Sequence, residues 1–111
     1  MIKIKKKKKK DNIVYFKISG HADSAAYGED IICAAVTSAV QMTVNGLLEI
    51  LNLTKIEYRE EHGLAICNMR DSGLSGEDFI KADILTKSME TYLKSVADEY
   101  PEYVKIMIQE V

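Results

Sequence analysis

The chain has 111 residues, 47% hydrophobic and 29% charged, with one Pro and six Gly; this suits one packed domain over residues 1–111 and excludes a disordered or fibrous chain. Two widely separated cysteines exclude a disulfide framework and suit a reducing, cytoplasmic setting. The net charge of −2 hides a split, because seven of the 15 basic residues are Lys3 and Lys5 through Lys10, leaving eight basic against 17 acidic residues from Asp11 onward, a body of net −9.

Met1, Ile2 and Ile4 open a strand that runs into the lysines, Asp11-Asn12 supplies turn residues, and residues 13–18 (IVYFKI) form a β-branched and aromatic strand. Residues 1–10 are thus the lysine-rich arm of a first hairpin, expected to be solvated and to guard a sheet edge by its charge. Residues 19–28 hold two glycines and several small or polar residues and predict a loop of the length that often carries function.

From residue 31 to about 51, Ile32, Val36, Val40, Val44, Leu47, Leu48 and Leu51 recur at helical spacing, with Asp30 as N-cap. Ala34, Ala35, Ala39 and Met42 make the other faces apolar too, so this helix should be covered on more than one side, by a sheet and by a second subunit. The same stretch is uncharged, but Thr37, Ser38, Gln41, Thr43, Asn45 and Gly46 interrupt it, and a span needs about 20 predominantly apolar residues. Residues 13–18 are too short and polar for the core of a signal peptide. No membrane partner is expected.

Residues 54–59 and 64–69 predict two further strands joined by Glu60-Glu61-His62-Gly63. Ser75 and Asp78 resemble a capping box, and Phe79, Ile80, Ile84, Leu85, Met89, Tyr92, Leu93 and Val96 mark a second helix ended by Pro101. Val104, Ile106 and Ile108 alternate in a last strand. The order ββαββαβ predicts an α+β, two-layer fold with two helices packed on a five-stranded mixed sheet.

The chemistry concentrates between His21 and Cys33. With Asp30 as N-cap, Cys33 occupies the third helical position, where unpaired N–H groups and the positive end of the macrodipole favour a thiolate and could serve an oxyanion. A free thiol titrates near ~8.5, and such positions lower this to roughly 3.5–7.5. His21 stands before a loop long enough to bring its imidazole back to the helix start, so a Cys–His pair for acyl transfer is geometrically open. On periodicity alone, Cys33 reads first as a small core residue. The Asp30 charge opposes a thiolate, so its first role is to orient the helix.

Gly20-His21-Ala22, Tyr27-Gly28 and Asp30-Ile31-Ile32-Cys33-Ala34-Ala35-Val36 resemble the signature of the ribosomal-processing cysteine proteases, the Prp family. The resemblance implies a homodimeric, cytoplasmic endopeptidase that removes an N-terminal extension from a large-subunit ribosomal protein, without a cofactor or metal. It places the catalytic pair on His21 and Cys33, with Gly20, Gly28 and Asp30 in support. The loop Ala22, Asp23, Ser24, Ala25, Ala26 and Tyr27 then binds substrate. Asp23 and Thr37 stand where the family often has Gly and Ser, and the lysine run lies outside its pattern.

Cys33, Cys67, His21 and His62 lack the spacing of a zinc set. Cys67 and Met69 are expected in the core, His62 in an exposed turn, and Tyr58 in packing. The alternative function is a non-catalytic, rRNA-associated module that uses the Lys-rich arm and keeps Cys33 in the core. No aromatic residue interleaves the lysines along the chain, so direct nucleic-acid binding is not expected.

Overall fold

The computed structural model describes residues 1–22 and 30–111. Its elements follow the expected order: β1 (Ile2–Lys9), β2 (Asn12–Ser19), α1 (Ile31–Asn45), β3 (Glu57–Glu61), β4 (Leu64–Asn68), α2 (Gly76–Glu99) and β5 (Val104–Glu110). The strands form one five-stranded sheet ordered β3-β4-β2-β1-β5, antiparallel except for the parallel β1–β5 pair. The fold is therefore α+β with a mixed sheet.

The β1–β2 turn falls on Lys10 and Asp11, both at positive φ (50° and 70°), the geometry that matches the twist of a two-residue hairpin. Helix α1 begins where expected: the Asp30 carboxylate accepts the N–H groups of Ile32 and Cys33 at 3.1 and 3.0 Å. Beyond Asn45 it continues as one π turn, Gly46–Ile50. Helix α2 opens on the capping box of Ser75 and Asp78 and ends before Pro101. The strand expected from residue 54 starts at Glu57, because the Ile56 N–H donates to the Leu53 carbonyl at 3.2 Å and makes a turn that buries both side chains.

Helix α2 packs on β2 and β5, and α1 packs on α2. Between helices and sheet lies a core built on Ile4, Phe16, Val36, Leu47, Met69 and Leu93, each 2% exposed or less. Cys67 and Met69 lie in that core, each 1% exposed. Burial raises the Cys67 thiol to about 12, so it stays protonated and inert at neutral pH.

The lysine arm departs from expectation. Strand β1 is not at an edge: it lies between β2 and β5, and the edges are β3 and β5. Period-two alternation sends Ile2, Ile4, Lys6 and Lys8 toward the helices, where the Lys6 and Lys8 ammonium groups meet one Glu90 carboxylate oxygen at 2.6 and 2.9 Å. Lys6 is 3% exposed, so Lys6 and Lys8, two of the six lysines from Lys5 to Lys10, form a partly buried ion-pair cluster on α2 and not a solvated guard. Burial acts to raise the Glu90 carboxyl, but hydrogen bonds and charge from Lys6 and Lys8 outweigh it, and the net shift is downward.

Candidate active site

The sheet register builds the site. Ser19 of β2 pairs with Leu64 of β4, which brings the chain leaving β2 beside the β3–β4 turn. Gly20 bridges the two through its N–H, which donates to the Gly63 carbonyl at 2.9 Å. Gly20 has φ +87°, and a Cβ there would overlap the Met1 carbonyl oxygen, so only glycine fits where the chain turns toward His21. Gly63, with φ +73°, closes the other side: a Cβ on it would lie 2.9 Å from His21 Nε2. The absent side chain makes room for the imidazole.

His21 and Cys33 line the same cleft, of about 700 Å³, between α1 and the β2–β4 half of the sheet. Cys33 is partly exposed on its wall, which removes the fully buried, core role that the non-catalytic reading required. Ala22, next to His21 in the chain and itself buried, donates its N–H to Cys33 Sγ at 3.1 Å. A donor on the sulfur stabilises its anionic form more than its neutral one. Thr37 and Gln41 follow Cys33 at four-residue intervals along the cleft wall, so one helix face carries thiol, hydroxyl and amide in a row.

The first turn of α1 differs from expectation in one chemical respect. The N–H groups of Ile32 and Cys33 donate to Asp30 Oδ1, and that of Ala34 donates to the Asp30 carbonyl at 3.1 Å. These three amides are therefore engaged by the cap. The helix start acts on Cys33 through its dipole field and the fixed orientation of the turn, not through these N–H groups as direct oxyanion donors.

Two residues of the cleft were not assigned to the site by sequence. His62, exposed in the β3–β4 turn as expected, has its ring 5.0 Å from the His21 ring, tilted by 42°. Nothing along the chain signals this, because 41 positions separate them and only the β2–β4 register unites them. Tyr58 does pack on the core, and it also lines the cleft, donating its hydroxyl to Glu60 Oε2 at 3.0 Å. Burial and that acidic partner push the Tyr58 hydroxyl up to about 12. Glu60 and Glu61 give this side of the cleft an acidic rim.

Asp23, Ser24, Ala25, Ala26, Tyr27 and Gly28, expected to bind or support substrate binding, lie outside the described residues. Among the described residues, no group of three His, Cys, Asp or Glu side chains is placed to hold a metal ion.

The family model for the cysteine protease Prp matches residues 1–105. The ribosomal processing cysteine protease Prp of Bacillus subtilis is 27% identical over 95 residues, spanning 85% of this chain and 84% of that protein. Among solved structures, SMU.848 from Streptococcus mutans superposes with a TM-score of 0.76 at 25% identity, over 100% of this chain and 96% of that one. The essential ribosomal processing protease Prp from S. aureus, solved with a covalently linked product peptide, shares the fold with a TM-score of 0.78 at 22% identity, over 98% of this chain and 100% of that one. With the family model running nearly end to end, the resemblance carried by residues 20–36 extends to the whole molecule, and the chain belongs to the cysteine protease Prp family.

Proposed function

We propose that this cysteine protease removes the N-terminal extension of a large-subunit ribosomal protein, with Cys33 as nucleophile and His21 as its acid–base partner. The observation that carries the reading is the Ala22 N–H on Cys33 Sγ at 3.1 Å, which ties the residue after His21 to the sulfur on the wall of a peptide-sized cleft. The names of relatives support the substrate class: the B. subtilis protein is called ribosomal processing, and the S. aureus enzyme is solved with substrate and product peptides.

In the reaction, His21 takes the Cys33 proton and the thiolate attacks the scissile carbonyl carbon, forming a C–S bond. The tetrahedral adduct collapses as His21 returns the proton to the leaving amine and the C–N bond breaks, which leaves a thioester. Water then gives its proton to His21 and its oxygen to the acyl carbon, the C–S bond breaks, and the thiol is restored. The acidic rim of Glu60 and Glu61, on a body of net −9, suits a basic ribosomal substrate by attraction at long range.

One domain over residues 1–111 carries this activity. The working form is a homodimer, a reading supported by Ile31, Met42, Ile50, Ile80 and Ile84, which are all between 68% and 78% exposed on the two helices and the π turn that extends α1. The location is cytoplasmic, supported by Cys33 and Cys67 both standing outside any disulfide.

Incubating the protein with an N-terminally extended ribosomal protein should release the extension, as read by mass spectrometry, and Cys33→Ala should abolish the cut. A Cys33→Ala protein that cleaves like its parent refutes the nucleophile. Sedimentation should give a dimer that Met42→Glu weakens; a monomeric parent refutes the assembly.

A further inference from the structure

The sheet face turned away from the helices and the cleft carries a charge pattern that the protease activity does not use. On β1, Lys3, Lys5 and Lys7 alternate with the inward residues. The pairing sets Lys17 of β2 opposite Lys5, and Lys105 of β5 opposite Lys3. Strand spacings of about 4.8 Å and two-residue repeats of about 6.7 Å put the Cα atoms of these five lysines within roughly 10 by 13 Å. Lys3 and Lys105 are exposed, the other three half-buried.

Like charges directly across strands are unfavourable. The inward lysines Lys6 and Lys8 are matched by Glu90, whereas none of these five forms an ion pair among the described residues. The carboxylate of this face, Glu57, stands on β3, two strands away from β2, and Glu61, at the end of the same strand, lines the cleft. A concentrated field of one sign on an open sheet calls for a polyanion. Protein interfaces are poor in lysine and want an apolar centre, and among the described residues of this face Met107 is exposed at 36% and Ile66, opposite Lys17, is half-buried. Nucleic-acid interfaces are far more positively charged.

The missing aromatic is also present in space. Tyr15 lies opposite Lys7 and its ring sits under the Lys7 ammonium, 4.6 Å from the ring centroid. Interleaving of lysine with an aromatic, absent along the chain, is created across the strands, and it is the arrangement that tracks a single strand by phosphate contacts and stacking.

We propose that Lys3, Lys5, Lys7, Lys17, Lys105 and Tyr15 form a docking face for single-stranded RNA, on the side of the sheet opposite the cleft. The choice of RNA over DNA rests on the ribosomal substrate proposed above; the face itself does not depend on the peptidase chemistry.

The test is fluorescence anisotropy of the full chain with a labelled 12-nucleotide oligouridylate. Five phosphate contacts give a slope of log K against log salt near −3.5, so affinity should fall about 100-fold between 50 and 200 mM salt. Lys5→Gln/Lys17→Gln/Lys105→Gln should weaken binding at 50 mM by at least about tenfold and leave a slope near −1.4, that of two contacts. Lys55→Gln/Lys81→Gln/Lys94→Gln makes the same change in net charge elsewhere and should bind within about twofold of the parent. No binding by the parent at 50 mM salt, an unchanged slope in the face variant, or equal weakening in the second variant would overturn the proposal. So would equal affinity for polyglutamate or phosphatidylserine vesicles. Cleavage of the extended ribosomal protein, measured alongside, should match the parent in both variants; its absence would count against the peptidase reading and not against this face.

Discussion

Gly63→Ala tests how the fold holds His21. Gly63 sits at φ +73°, and a methyl group there would lie 2.9 Å from His21 Nε2. Two separate effects follow. The left-handed conformation of a non-glycine residue costs roughly 1–2 kcal/mol, which for a domain near this size lowers Tm by roughly 4–8 °C. The clash is with the far end of a side chain, so the imidazole moves by about half an ångström to restore ordinary contact, and misplacement on the order of 1 Å costs about 100-fold in rate. We therefore expect kcat/KM to fall by about 10- to 100-fold, mostly in kcat. Gly73→Ala is the control, because Gly73 has φ +72° with nothing within 4 Å of its added Cβ. Both variants should lose similar Tm in a thermal melt, and only Gly63→Ala should lose activity in a peptide-cleavage assay. Equal activity in the two variants would refute the claim that the space over Gly63 positions His21.

The ion-pair cluster gives a stability prediction with a definite sign. Glu90→Gln leaves Lys6, 3% exposed, without its carboxylate and should cost roughly 2–3 kcal/mol in urea denaturation; a fully buried pair would cost roughly 3–5, and a fifth of the Glu90 side chain remains exposed. Lys6→Met keeps the packing and the Lys8–Glu90 contact and should stay within about 1 kcal/mol of the parent; equal losses in the two variants would count against this account. Because the Glu90 carboxyl is held below its ordinary value, its contribution is fully present above the unfolded value near ~4.3 and is lost as pH falls through the folded one. The gap between parent and Glu90→Gln should hold at pH 5.5 and close toward pH 3. Asp30→Ala should lose about 1 kcal/mol of stability with the cap, while Asp30→Asn keeps an acceptor, removes the anion beside Cys33 and should move the iodoacetamide alkylation profile of Cys33 to lower pH; a move upward would show that the charge does not oppose the thiolate. At pH 7.5 native protein should take up alkylating reagent at Cys33 and not at Cys67, whose thiol is raised to about 12; both should react in denaturant, and fast labelling of native Cys67 would contradict its burial.

Much of the fold was legible because its signals are local. Asp30 and Ser75 are capping residues wherever a helix starts, so both helix starts follow from short motifs. The ββαββαβ order follows from period and turn chemistry, and His21 and Cys33 stand out because their motif occupies one short stretch of chain. What stayed hidden depends on pairing between distant segments. The lysine run reads as a solvated edge because charge is visible and strand order is not; only the parallel pairing of β1 with β5 encloses it and turns Lys6 toward Glu90. His62, Gly63 and Tyr58 join the cleft through the β2–β4 and β3–β4 registers, which no local periodicity specifies. The same pairing places Tyr15 against Lys7 and Lys17 against Lys5. The sequence by itself therefore determined the elements and the family and singled out the pair proposed to react, all of which are written within a helical turn or a short motif. The tertiary structure alone decided which lysines are buried, what surrounds His21 and where positive charge accumulates, because those depend on register, and register is a property of two strands together.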